Sequence, residues 1–191
     1  MSFPRNLGRN SGSSSSYDAL AITSLSDGSS IVVGDFQGTV AFGDTELTST
    51  GGRDAFITKL NADGSYVWAT KAGGSNYEQG SEITSLSDGS SIICGYFEGT
   101  ATFGDTQLTS NGARDAFTAK LNADGSYAWA SQAGGSQSDS GIAITALSDG
   151  SSIVTGYFCR WEGTATFGST TLTSVGGSDV FITKLKDRKS T

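Results

Sequence analysis

The sequence predicts an all-β chain built from antiparallel sheets that stack on one another. Three observations predict it. First, the nine residues "ITSLSDGSS" begin at Ile22 and again at Ile83, and "ITALSDGSS" begins at Ile144, a spacing of 61 residues each time. A recurrence this regular marks a repeat architecture. Second, apolar residues recur at period two, and no stretch carries a helical period. Third, 27 glycines and a single proline in 191 residues supply many tight turns without proline-broken strands.

The second copy shows each element in order. "ITSL" from Ile83 reads as a short strand. "SDG" is a turn in which Asp88 bonds nearby backbone and Gly89 takes positive φ. "SSIICGYFEG" extends the sheet, and "TATFGDTQLTS" folds as a small hairpin around Gly104-Asp105. In "RDAFTAKL", Phe117, Ala119 and Leu121 share one face. "NADG" turns the chain again, and "SYAWASQAGG" closes the unit with Tyr127, Trp129 and Ser131 on one face. Four principal strands and one extra hairpin therefore fill each repeat, with local antiparallel pairing throughout. One such sheet cannot cover both of its faces, and stacking copies can. Radially stacked four-stranded sheets make a β-propeller. A linear β-solenoid is the weaker alternative, because its coils are shorter and its strands parallel.

The expected organisation is a single repeat domain over 1–191, with blades at about 22–82, 83–143 and 144–185. The third copy stops at "VFITKLKDRKST" and lacks its last strand, so residues 3–21 of this or a partner chain are expected to complete it. Three blades are too few to close a ring, since propellers have roughly four to eight. The chain is therefore expected as an open arc, a fragment of a longer propeller, or half of a six-bladed homodimer.

Net charge is −7 and the pI is near 4.4. That argues against nucleic acid, which demands a basic footprint, and against adsorption to anionic membranes. No apolar run is long enough for membrane insertion, and "MSFPRNLGRNSGSSSS" lacks the apolar core of a secretory signal. The two cysteines, Cys94 and Cys159, occupy non-matching repeat positions, so no disulfide framework is expected.

Histidine is absent, which removes His-based triads and zinc sites. Asp27, Asp88, Asp149, Asp63 and Asp124 all precede Gly and read as turn residues rather than as an acid/base pair. "NADG" lacks the ligand spacing of an EF-hand, so no metal or cofactor is expected. Asp54, Asp115 and Asp179 open the same strand in each copy. They would form an axial ring lining a polar channel or cation site, or cap neighbouring N–H groups, the favoured expectation. Trp68 and Trp129 match and are expected in the inter-sheet core. Tyr96, Tyr157, Arg160 and Trp161 are the candidate ligand-binding residues, the last two from a "CRW" insertion unique to copy three.

"DAFITKLNADGSYVWATKAGG" and "DAFTAKLNADGSYAWASQAGG" resemble the seven-bladed β-propeller repeat known as SBBP, and "DGSSIVVGDF" is similar to another of its segments. The resemblance covers nearly all of residues 12–185. It implies a propeller fold and an extracellular or cell-surface setting. "KLNADGSYVWA" is also similar to the repeat of quinoprotein-type propellers, but their cofactor-binding residues have no counterparts here. The expected function is a non-catalytic interaction or adhesion scaffold for a protein ligand. Alternatives are a lectin-like propeller that binds glycans and a glycan hydrolase fragment.

Overall fold

The computed structural model describes residues 16–159 and 161–186. The chain is all-β, and every regular element among these residues is a strand. Each repeat runs alike. In the first, β1 (Ser16–Ser24), β2 (Ser30–Gln37), β5 (Asp54–Leu60) and β6 (Tyr66–Gly74) form an antiparallel meander, and the hairpin β3 (Thr39–Phe42) and β4 (Thr45–Thr48) interrupts it. The second has β7 (Glu78–Ser85), β8 (Ser91–Phe97), β11 (Asp115–Leu121) and β12 (Tyr127–Gly135), with hairpin β9 (Thr100–Phe103) and β10 (Thr106–Thr109). The third has β13 (Ser140–Ala146), β14 (Ser152–Phe158) and β17 (Asp179–Leu185), with hairpin β15 (Gly163–Phe167) and β16 (Thr170–Ser174). The first three residues of "ITSL" ("ITAL" in the third copy) end the first strand of each sheet, and the leucine follows it.

Pairing is not wholly local, which corrects the sequence expectation. The small hairpin of each later repeat leaves its own sheet and extends the preceding one. β9 pairs with the end of β6 (Ala72↔Phe103), and β15 pairs with the end of β12 (Gly134↔Thr166). Each hairpin thus covers an edge that would otherwise present free N–H and C=O groups. Residues 3–15, expected to complete the third sheet, lie outside the described residues; Ser16–Ala21 belong to β1, paired with β2.

Period-two alternation sorts each strand into two faces. Ile31, Val33, Ala55 and Ile57 of the first sheet, with Phe103 of the hairpin that extends it, pack against Ile83, Ile93 and Phe117 of the second. The opposite face of the second sheet, with Ile92, Cys94 and Ala116, and Phe167 of the hairpin that extends it, packs on Ile144, Val154 and Phe181 of the third. Both cysteines are free and buried. Trp68 and Trp129 are half-buried against these cores, less enclosed than expected, whereas Trp161 is 70% exposed. The Trp68 indole N–H reaches the next sheet and donates to the Ala123 carbonyl at 3.1 Å.

Each first strand carries a bulge, at Ala19/Ala21, Gly80/Glu82 and Gly141/Ala143. The bulge presses a carbonyl onto the second strand. A Cβ at Gly95 would lie 1.9 Å from the Gln79 oxygen, so only glycine fits there.

The turns follow the sequence. Asp27, Asp63, Asp88, Asp124 and Asp149 each accept from the backbone N–H two residues on. Gly89, Gly125 and Gly150 have φ of 79°, 86° and 80°. Gly125→Ala is expected to cost more than Gly150→Ala. Both incur about 1 kcal/mol for the left-handed backbone. A Cβ at Gly125 also meets the Trp68 ring at 2.7 Å, whereas at Gly150 it meets nothing within 4 Å. Equal losses in urea midpoint would contradict this packing.

Candidate functional site

The antiparallel register brings one set of strand ends together: the starts of β1, β7 and β13, the ends of β2, β8 and β14, and the starts of β5, β11 and β17. Charged and aromatic side chains gather there, while the opposite end carries the Asp-Gly turns.

Matching repeat positions differ at this end. Asp35 of the first sheet is replaced by Tyr96 and Tyr157 in the second and third. In the first sheet, Arg53 donates to Asp35 at 2.7 Å, to Asp18 at 2.9 Å and to Ser16 at 2.7 Å. Asp35 also accepts from Gln79 of the second sheet at 2.9 Å, which ties the two sheets. This network consumes its charges internally. In the second sheet the matching Arg114 has no such carboxylate. Its guanidinium instead lies over the Tyr96 ring, 4.5 Å from the centroid, and pairs with Glu98 at 2.7 Å. Burial pushes the Tyr96 phenol up, against the pull of the Arg114 charge, so the hydroxyl remains a neutral donor. Tyr157 lies close enough to act electrostatically on both Tyr96 and Arg114. Trp161 lies just beyond the end of β14; Arg160 is outside the described residues. Tyr96 and Tyr157 thus stand at matching places on adjacent sheets, and Arg114 and Glu98, which the sequence analysis did not single out, are partnered at Tyr96. The available signal was divergence between copies at positions whose neighbours are identical.

Beneath this end lie buried carboxyl pairs. Asp54 and Asp115 are fully buried, and Asp179 is exposed. Each accepts from the backbone N–H four residues earlier, of Thr50, Asn111 and Val175. The aspartates act as caps within their own loops. Asp54 and Asp115 also face the Gly-Gly end of the adjacent strand, where a Cβ at Gly73 would sit 2.1 Å from Asp54 Oδ2 and one at Gly134 2.8 Å from Asp115 Oδ1.

The two buried pairs differ in compensation. In the first, Lys71 donates to Asp54 at 2.6 Å, and Glu78 accepts from the Gly74 N–H at 2.8 Å. Burial pushes the Glu78 carboxyl up to about 8, and the Asp54 charge adds to the shift. In the second, Gln132 replaces Lys71 and reaches Asp115 only at 3.5 Å. Asp139 accepts from Gly135 at 2.8 Å and from Cys159 at 3.1 Å. Burial, then Asp139, raises Asp115 to about 6. Glu78 Oε1 and Asp115 Oδ1 have no hydrogen-bond partner. Among the described residues, no three His, Cys, Asp or Glu side chains gather as a metal site.

Gln132→Lys is expected to stabilise the fold by about 1 kcal/mol at pH 7, by placing against Asp115 the ammonium that Lys71 gives Asp54. The gain shrinks at pH 4, where Asp115 is protonated. Denaturant midpoints at the two pH values check this, and a gain that is larger at pH 4 contradicts it.

No family model matches this chain, and no curated protein matches it.

Proposed function

We propose that the three sheets are β-propeller blades and that the chain is a non-catalytic interaction scaffold. Its binding surface is the strand-end cluster around Tyr96, Arg114 and Tyr157. The observation that carries this reading is the Arg114 guanidinium held over Tyr96 with Glu98 beside it. An arginine fixed between an aromatic face and a carboxylate loses little freedom on binding, and Tyr and Arg dominate the energetic centres of protein interfaces. Trp161, 70% exposed beyond the end of β14, is a further candidate on the same end of the sheets. The stacking of repeated antiparallel sheets and the resemblance to the seven-bladed repeat support the propeller, and the resemblance favours an extracellular or cell-surface setting.

A lectin is the second reading. The same tyrosines, with the Glu98 carboxylate and the Arg114 guanidinium, supply stacking faces, acceptors and donors for sugar hydroxyls. A glycan hydrolase has less support, because Asp115 and Asp139 are fully buried beneath the surface.

Arrays of immobilised peptides and of glycans, probed with the wild-type chain and with Arg114→Ala, separate these readings. Peptide binding that falls tenfold or more in the variant supports the scaffold. Binding confined to glycans supports the lectin instead. Silence on both arrays, or glycan turnover abolished by one carboxylate substitution, overturns the proposal. A thermal melt of the variant verifies that it is folded.

A further inference from the structure

We propose that a second copy of this chain docks head to tail, the open face of its first sheet covering the outer face of the third sheet. The chain already makes this contact twice. Ile31, Val33, Ala55 and Ile57 of the first sheet present an apolar face to the second, and the matching face of the second sheet meets the third. One repeat further on, the presenting positions are Ile153, Thr155, Val180 and Ile182. Val180 is 71% exposed and Ile182 73%, whereas Ala55 and Ile57, at the same places in the first sheet, are at 0%. Lys184 shows the same step. It pairs with Asp149 as Lys59 pairs with Asp27 and Lys120 with Asp88, yet its side chain is 51% exposed against 14% and 10%.

The receiving face is equally uncovered. Ile22 is 65% exposed, whereas its counterparts Ile83 and Ile144 are at 4% and 9%. With Val32, Phe42, Phe56, Leu60 and Tyr66 it lines a groove of about 460 Å³. The positions that line it are those that receive the preceding sheet inside the chain. Polar contacts repeat as well. Thr23 reaches Ser85 at 3.4 Å, and Thr84 accepts from the Ala146 N–H at 3.2 Å, each across a sheet boundary. Thr145 stands at the matching place for the next boundary, opposite Ser24 of the second copy.

The two faces of one chain are thus presenter and receiver of a single repeated interface. Such a contact is heterologous and either closes a ring or grows a filament. Docking follows from the repeated contact alone. Closure of two copies into one six-sheet ring rests on the propeller reading above, and six lies within the roughly four to eight sheets of such rings.

Light scattering at micromolar concentration is the test, on the wild-type chain and on Ile182→Lys and Ile22→Asp. Both substituted residues are exposed in the single chain, so neither variant is expected to lower its thermal midpoint when monomeric. The expected result is twice the chain mass of 19.6 kDa for the wild type and loss of that dimer in each variant. Mixing the two variants restores it. One interface is then unaltered, and the other sets the introduced lysine of one copy against the introduced aspartate of the other. A wild-type monomer overturns docking, as does a dimer that survives both substitutions. Masses that climb beyond two copies with concentration support docking and overturn the closed ring.

Discussion

Phe103→Ala is expected to destabilise the fold by about 3–5 kcal/mol, and Phe42→Ala, at the same position one repeat earlier, by clearly less. Phe103 is fully buried. Its ring lies 4.8 Å from Phe117, 6.0 Å from Tyr127 and 6.2 Å from Phe97, centroid to centroid. Its strand is also bonded to the preceding sheet through Ala72↔Phe103. Removal of the ring leaves a cavity enclosed on both sides, which cannot collapse without breaking that pairing. Phe42 keeps the same neighbours on its own sheet, with Phe56 at 4.9 Å and Tyr66 at 5.8 Å. Its hairpin pairs only within itself among the described residues, and the space beyond is the open groove. Water can enter there, so the cavity term is smaller, about 1–3 kcal/mol in all. Urea unfolding of both variants measures the difference. Equal losses in dilute monomer would mean that the preceding sheet contributes nothing to the enclosure of Phe103. In the docked dimer the two losses should converge, because the groove is then covered.

The pair also shows how much the sequence disclosed. Period two, the Asp-Gly turns and the 61-residue recurrence disclosed the strands, their faces and the positive φ at Gly89, Gly125 and Gly150, because these are local properties of a few residues each. The crossing of β9 to β6 was not legible. A four-residue strand such as Thr100–Phe103 carries no mark of which edge it will join. The choice is made by the free edge of β6 and by the close approach of the Thr100 backbone to Gly74, both products of the assembled sheets. The candidate site was half legible. Tyr96 and Tyr157 stood out as aromatics at matching places. Arg114 did not, since Arg53 matches it and yet does different work. Its role depends on whether its neighbour is Asp35 or Tyr96, a difference visible only when the copies are compared position by position. Asp54 and Asp115 were rightly expected to cap backbone N–H groups. Their pairing with Glu78 and Asp139 joins residues 24 apart in sequence, which no spacing rule anticipates.

Glu78→Gln is expected to stabilise the protein at pH 8 by a few kcal/mol and to flatten its stability between pH 5 and 8. The Glu78 carboxyl is raised from its ordinary 4.5 to about 8, first by burial and then by the charges of Asp54 and Glu98. A folded-state value above the unfolded one means that the folded protein holds the proton longer. Ionisation then costs stability progressively as pH rises from about 4.5 to about 8. Asp115, raised to about 6, adds a smaller loss of the same sign between about 4 and 6. The turn acids act in the opposite sense. Asp27, Asp63, Asp88, Asp124 and Asp149 are lowered, each first by a side-chain hydrogen bond, from Lys184 for Asp149 and from the serine two residues on for the others. Their contribution is present above about 4 and is lost as pH falls through their folded values. Together these give a stability maximum near pH 4–5, acid of the usual range. The amide that Glu78→Gln introduces keeps an oxygen to accept from the Gly74 N–H and carries no charge to bury. Chemical denaturation of wild type and variant at pH 5 and pH 8 decides the matter. A wild type that grows more stable from pH 5 to pH 8, or a variant that loses stability at pH 8, would show that Glu78 is ionised at no cost and that the Lys71 charge, which pulls its carboxyl down, outweighs burial and the neighbouring carboxylates.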